Sequence, residues 1–298
     1  MPTETVDSRF ADVDRWPTVS VVETMLEGQL AAIAALKDQT GAIAAAADAA
    51  ATRMRKGGRL VYAGAGTSGR LAVQDGVELT PTYNWPSDRL VFLVAGGTGA
   101  LMRSVEGAED NVAVARDEVA AAEVGPDDVL IAVAASGRTP YAVAALEAAR
   151  TRGALTIAIA NNPGTPLLAA ADHPIVADTG AEIVAGSTRM KAGTAQKAAL
   201  NMLSTAIMIR CGLVHRGLMV NMRISNEKLA QRARRMVATL AGIDEARAED
   251  ALELADKDLR RAVLIARGLS PEAAAVRLER AGGDLGEALA DLRKSEAE

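Results

Sequence analysis

The chain has 298 residues, 49% of them hydrophobic, with only 2% aromatic and a formal net charge of -5. That length and apolar content allow one large domain or two modest ones with a sizeable core, while the acidic balance, the lack of a basic block and the scarcity of stacking rings exclude a nucleic-acid-binding platform. A single cysteine, Cys211, excludes an intramolecular disulfide, and His173 and His215 have no partners at ligand spacing, so no metal site is expected. The polar stretch from Met1 to Phe10 is not a signal peptide, and no uninterrupted apolar run approaches membrane length, so a soluble, cytoplasmic protein with no membrane partner is expected.

In chain order, residues 1–18 read as irregular, with Pro2 and Pro17. Helices follow over Val22–Leu36 and over the alanine-rich Thr40–Met54, which Gly57-Gly58 ends. From there strands and helices alternate. Arg59–Ala63 is a predicted strand, Ser68–Val77 a helix, Leu90–Ala95 a strand, and Ala100–Val105 and Asn111–Ala122 helices. Val129–Ala134 is a strand, and Pro140 opens a helix that Gly153 stops. Leu155–Ile159 and the short Ile175-Val176 complete the strands, and a long, largely buried helix starts at Lys191. Such alternation predicts an α/β fold of three layers, a parallel sheet with helices on both faces. After Arg223 the pattern is wholly helical, with short helices over Glu245–Leu254, Lys257–Arg267, Pro271–Ala281 and Leu285–Leu292. The expected organisation is an N-terminal helical segment over 1–56 packing on the core, an α/β domain over 57–240 and a small helical bundle over 241–298.

Two small-residue turns stand out, each between an apolar run and a helix start. The first is Gly64-Ala65-Gly66-Thr67-Ser68-Gly69-Arg70 after Leu60-Val61-Tyr62-Ala63. The second is Ala135-Ser136-Gly137-Arg138-Thr139-Pro140 after Val129–Ala134. Turns of this kind present hydroxyls and backbone N–H groups at the positive end of a helix, where an anion can sit. The first lacks the Gly-Lys-Ser/Thr of a Walker loop. Its Gly64-x-Gly66-x-x-Gly69 spacing matches the dinucleotide fingerprint, but no clear ribose-binding acid follows a second strand about twenty residues on. Paired turns with hydroxyls suit one phosphorylated small molecule at the carboxyl ends of parallel strands, although each turn read alone is also an ordinary tight connection. With no metal set and no nucleophile–histidine pair, carboxylates are the available acid–base groups: Glu78, and beyond the next strand Glu106, Glu109 and Asp110. Glu106 and Glu109, three apart, would share a face of a helix. Read from sequence alone, each is more readily a solvated surface charge.

Several segments together resemble the sugar isomerase (SIS) domain and, within it, the N-acetylmuramic acid 6-phosphate etherases. They are Gly64-Ala65-Gly66-Thr67-Ser68-Gly69-Arg70-Leu71, Ser104-Val105-Glu106-Gly107-Ala108-Glu109-Asp110, Ala134–Tyr141, Gly186-Ser187-Thr188-Arg189-Met190-Lys191-Ala192-Gly193-Thr194-Ala195-Gln196-Lys197 and Asn201-Met202-Leu203-Ser204-Thr205. Two places depart from the family pattern. The usual Asp-Ala-Ser-Glu is Asp75-Gly76-Val77-Glu78, and Leu26-Glu27-Gly28-Gln29 replaces an Asn-x-Glu-Asp-like stretch. The resemblance implies removal of D-lactate from the C3 ether oxygen of N-acetylmuramic acid 6-phosphate, in recycling of cell-wall amino sugars, without a cofactor. It implies Glu78 as proton donor and Glu109 as the second catalytic glutamate, taken as base. The phosphate would be held by Ser68, Ser136 and Thr139 with N–H groups at Gly69 and Gly137, and less directly by Thr67 and Ser187. Arg70, Arg138, Arg189 and Lys191 would neutralise charge or form salt bridges, and Glu182 would touch sugar hydroxyls. A homodimer is expected, because one SIS domain is a half-site in many relatives. Two other readings stay open: a non-catalytic sugar-phosphate sensor like the glucokinase regulatory protein, and an aldose–ketose phosphosugar isomerase.

Overall fold

The computed structural model describes residues 1–295. They form two compact units, residues 1–77 with 87–207, and residues 78–86 with 208 onward.

In the first unit the elements run α1 (Thr18–Ala34), α2 (Thr40–Arg55), β1 (Leu60–Gly64), α3 (Gly66–Tyr83), β2 (Leu90–Val94), α4 (Val112–Ala121), β3 (Val129–Val133), α5 (Pro140–Thr151), β4 (Leu155–Ala160), α6 (Pro166–Ala170), β5 (His173–Val176) and α7 (Lys191–Arg210). The last turns of α3 and α7 continue into the second unit. The five strands form one sheet in the order β2-β1-β3-β4-β5, and every pairing is parallel. A strand covered on both faces needs apolar residues on both, which is why β1 and β3 read as continuous apolar runs and are buried throughout. Val61, Ala63, Leu130, Ala132, Ala158 and Ala160 share one core with α4, α5 and α6. The alternate residues, including Tyr62, Ile131, Ile157, Ile159 and Ile175, are equally buried, and α2 packs along β4 and β5. Each such Ile or Leu contributes roughly 1.5–3 kcal/mol on burial.

Three expectations are corrected here. No helix forms over Ala100–Val105; Thr98–Leu101 is a short 3-10 turn and the chain beyond it is irregular. The Arg70 Nε–H donates to the carbonyls of Ala100 (3.0 Å) and Leu101 (3.2 Å), acceptors that a continuing helix would use for its own amides. Glu106 and Glu109 therefore share no helical face. Secondly, the stretch Thr18–Arg55 contains an 18-residue window apolar enough, by length and composition, to cross a membrane. It is divided into α1 and α2 by the turn Lys37–Gln39, and α2 buries Ile43, Ala46, Ala47, Ala50, Ala51 and Met54 in the protein. On α1, Val19, Val22, Leu26, Leu30 and Ile33 are exposed, at spacings that place them in one stripe.

The third correction concerns the helical region, which begins earlier than the expected boundary near 240. The second unit holds the hairpin β6 (Val214–His215) and β7 (Leu218–Met219), then α8 (Glu227–Ala241), α9 (Glu245–Leu254), α10 (Leu259–Ala266), α11 (Pro271–Arg280) and α12 (Leu285–Ser295). Ala233, Met236, Val237 and Leu240 of α8 join Leu252, Val263, Leu278 and Leu289 in a single core, so α8 belongs to the bundle. Four of its helices start where a side chain satisfies an orphan amide: Asn226 accepts from Leu229, Asp244 from Arg247, Asp258 from Arg260 and Arg261, and Ser270 from Ala273.

Within the first unit, Asp75 of α3 is buried and accepts three hydrogen bonds: from the Tyr62 hydroxyl of β1 (3.0 Å), from Asn201 Nδ2 (2.6 Å) and from Ser204 Oγ (3.1 Å), the last two on α7. This clasp joins the middle of α3 to the sheet and to α7. One residue on, a Cβ at Gly76 would lie 2.5 Å from the Phe92 ring and 2.9 Å from the Tyr62 ring, which stack on each other. Gly76 thus leaves room for this ring pair.

Candidate active site

β1 and β3 are neighbours and run parallel, so the turns that follow them emerge side by side at one edge of the sheet. They open into a cavity of about 400 Å³, within the usual size range of small-ligand sites. Its walls are Ala65, Gly66, Thr67 and Ser68 from the first turn, Ala135, Ser136, Arg138, Thr139 and Pro140 from the second, Glu109 and Asp110 from the connection after β2, Thr188, and Met1 and Glu4. Thr67 and Ser68 lie in the first turn of α3, where amides lack intrahelical acceptors and point along the positive end of the helix. Across the cavity, Ser136 Oγ lies 3.3 Å from Thr139 Oγ1 and accepts from the Arg138 N–H at 3.1 Å. Glu109 is exposed, on the single 3-10 turn Ala108–Asp110.

The geometry redistributes some of the expected roles. The Gly69 N–H donates to the Ala65 carbonyl (3.1 Å) and the Gly137 N–H to the Ala134 carbonyl (3.0 Å), so neither amide is free for an anion. Gly66, Thr67 and Ser68 open α3 and line the cavity. Gly137 shapes the turn instead: its φ is +63°, and a Cβ there would meet Thr165 Oγ1 at 2.2 Å. Glu182 is buried and its two carboxylate oxygens accept the Lys191 (3.0 Å) and Ala192 (2.9 Å) amides, which makes it the N-terminal cap of α7. Lys191 lines a separate cavity with Arg9, Glu27 and Met190. Arg70 organises the loop after β2, and Arg189 is exposed. Ser187 does not line the sugar-sized cavity; its neighbour Thr188 does. Glu78 is exposed on α3, in the second compact unit.

Asp110, an acid–base candidate of the sequence, reaches the cavity, and so do Thr188 and Glu4, which the sequence did not single out. Asp110 carried a signal, its adjacency to Glu109. Thr188 sits inside a quoted motif, one residue from the position chosen. For Glu4 no local signal exists, since only tertiary packing brings residues 1–4 to the strand ends.

A family model for the SIS domain matches residues 106–206, and one for the glucokinase regulatory protein N-terminal SIS domain matches residues 42–150. Full-length similarity is narrower. The N-acetylmuramic acid 6-phosphate etherase of Deinococcus radiodurans is 50% identical over 94% of this chain and 92% of its own length. That of Streptomyces avermitilis is 46% identical over 97% and 94%, and that of Cronobacter sakazakii 42% over 96% and 97%. The chain belongs to the N-acetylmuramic acid 6-phosphate etherase family. Among solved structures, a Bacteroides fragilis protein described as a phosphosugar isomerase involved in capsule formation shares the fold, with a TM-score of 0.52 over 67% of this chain and 95% of that one at 21% identity. This likeness is one of fold.

Proposed function

We propose that this chain is a carbon–oxygen lyase that cleaves the D-lactyl ether of N-acetylmuramic acid 6-phosphate to N-acetylglucosamine 6-phosphate and D-lactate. One observation carries the reading: two hydroxyl-bearing turns and Glu109 line one cavity, in a chain that belongs to the etherase family over nearly its whole length. The phosphate would sit on Ser68, Ser136, Thr139 and the first amides of α3, with Thr67 and Arg138 beside it. Ring opening leaves an aldehyde at C1, which acidifies the C2 proton. Glu109 takes that proton. The C3–O bond then breaks with protonation of the leaving lactate oxygen by Glu78, giving an unsaturated aldehyde. Water adds at C3 and a proton returns to C2, so the net reaction consumes one water. One carboxyl must be ionised and the other protonated at the start.

Incubation with N-acetylmuramic acid 6-phosphate should release free lactate. Sugar isomerisation without lactate would identify an isomerase, and binding without turnover a sensor. Ser136→Ala should weaken N-acetylglucosamine 6-phosphate binding about tenfold or more, the loss of a hydrogen bond to a charged group being roughly 1.5–3 kcal/mol. Calorimetric titration checks this, and unchanged affinity would remove Ser136 from the phosphate site.

The working form we propose is a soluble, cytoplasmic homodimer. The exposed stripe Val19, Val22, Leu26, Leu30 and Ile33 on α1 supports a second copy packing there. The reading rests on the stripe's heptad-like spacing, which suits a helix–helix contact.

A further inference from the structure

Thr3 is fully buried although it lies at the edge of an otherwise polar segment. Each of its polar groups is engaged. Its N–H donates to Asn162 Oδ1 (3.3 Å), its Oγ1 accepts from Asn162 Nδ2 (2.9 Å), and its carbonyl accepts from the Gly186 N–H (3.2 Å). Asn162 Nδ2 also donates to the carbonyl of Ala135 (2.8 Å), the residue before Ser136. Thr3 therefore ties together two walls of the cavity, the second phosphate turn and the loop leading to Thr188. The next residue, Glu4, lines the cavity, and its Oε2 lies 3.0 Å from where a Cβ on Gly186 would stand.

We infer that residues 1–4 form a fixed wall of the phosphosugar site, in which Glu4 accepts a hydrogen bond from a hydroxyl or amide N–H of the sugar and so helps set specificity. This rests on the phosphosugar reading proposed above. Charge gives the orientation. Glu4, Glu109 and Asp110 are the acids of the cavity and Arg138 is its cation. A phosphate beside three carboxylates would be repelled, so it belongs with the hydroxyls of Ser68, Ser136 and Thr139, and the acidic side faces the uncharged donors of the ring. An ionised carboxylate can only accept hydrogen bonds, which matches sugar hydroxyls and an acetamido N–H and disfavours the substrate's own carboxylate. Glu4 is thereby a positioning residue, held by Thr3 and Asn162, and takes no part in the proton transfers.

The test compares two probes on the full chain by calorimetry, N-acetylglucosamine 6-phosphate and inorganic phosphate. Glu4→Ala should weaken the phosphosugar about tenfold, as expected for losing one charge-assisted hydrogen bond, and leave inorganic phosphate equal or tighter. Glu4→Gln, which keeps an acceptor, should fall between. Thr3→Val should weaken the phosphosugar as well, and Thr3→Ser should restore it. Thermal unfolding of each variant separates loss of the wall from loss of the fold. Unchanged phosphosugar affinity in Glu4→Ala, or equal weakening of both probes, overturns the role of Glu4 while leaving the phosphosugar site standing. Failure of the unaltered protein to bind the phosphosugar overturns both.

Discussion

Glu109→Gln is expected to abolish lactate release and, with it, exchange of the C2 proton with solvent deuterium. A glutamine cannot take up the proton, and without the C2 carbanion nothing expels the lactate. Glu78→Gln is expected to fail differently. Proton abstraction does not require the leaving group to depart, so exchange at C2 persists while lactate release falls. General acid–base groups contribute roughly 10²–10⁴-fold, well within the range of a lactate assay and of deuterium incorporation followed by NMR. Exchange lost only in the Glu78 variant would reverse the two roles. Near-normal lactate release from either variant would make that residue a bystander. The position of the two glutamates adds a second measurement. Glu109 lines the cavity, and we propose that, in the homodimer proposed above, the two glutamates of one site come from different subunits. Mixing the two inactive variants under conditions that exchange subunits should then restore up to about a quarter of the wild-type activity, since half of the dimers are hybrids and each has one site with both glutamates. No recovery, with hybrids demonstrated by mass, would place both groups in sites of a single subunit.

Asp75→Ala is expected to produce the largest loss of stability. The substitution leaves the Tyr62 hydroxyl, the Asn201 amide and the Ser204 hydroxyl facing a buried gap. Stranded buried donors cost roughly 1–3 kcal/mol each; a net loss of about 3–5 kcal/mol is expected, the size seen when one partner of a buried charged network is removed. Chemical denaturation measures it, and a loss below about 1 kcal/mol would show that the clasp is dispensable. Asp75→Asn keeps the shape and an acceptor and should be far milder. It also tests the charge. Burial pushes the Asp75 carboxyl above its ordinary value of 3.8, against the pull of Asn201, Tyr62 and Ser204. A raised carboxyl favours the protonated form in the folded state, so its contribution to stability is full below pH 3.8 and declines as pH rises through the folded-state value. Denaturation midpoints taken upward from about pH 4 should therefore show a decline in the unaltered protein that Asp75→Asn lacks. Identical pH profiles for the two proteins would assign the decline to other groups.

The sequence by itself determined the parts of this protein that depend on near neighbours in the chain. Continuous apolar runs, which a strand needs when both its faces are covered, marked β1 and β3. Small hydroxyl-bearing residues between strand and helix marked the two turns around Ser68 and Ser136, and the motifs quoted around these turns, Glu109 and Lys191 pointed to the family and its chemistry. What tertiary structure decided is which groups are free to act. A backbone amide can bind an anion only when no carbonyl has taken it, and the carbonyls of Ala65 and Ala134 take those of Gly69 and Gly137. A carboxylate can touch a sugar only when it reaches open space, and Glu182 is buried against the start of α7. A helix that stops leaves its last carbonyls to other donors, and Arg70 takes those of Ala100 and Leu101. Packing likewise drew α8 into the helical bundle and brought Thr3 to Asn162, 159 residues away. Local pattern carries no information about such long-range competition for hydrogen-bond partners, because each outcome depends on which distant atoms the folded chain brings within reach.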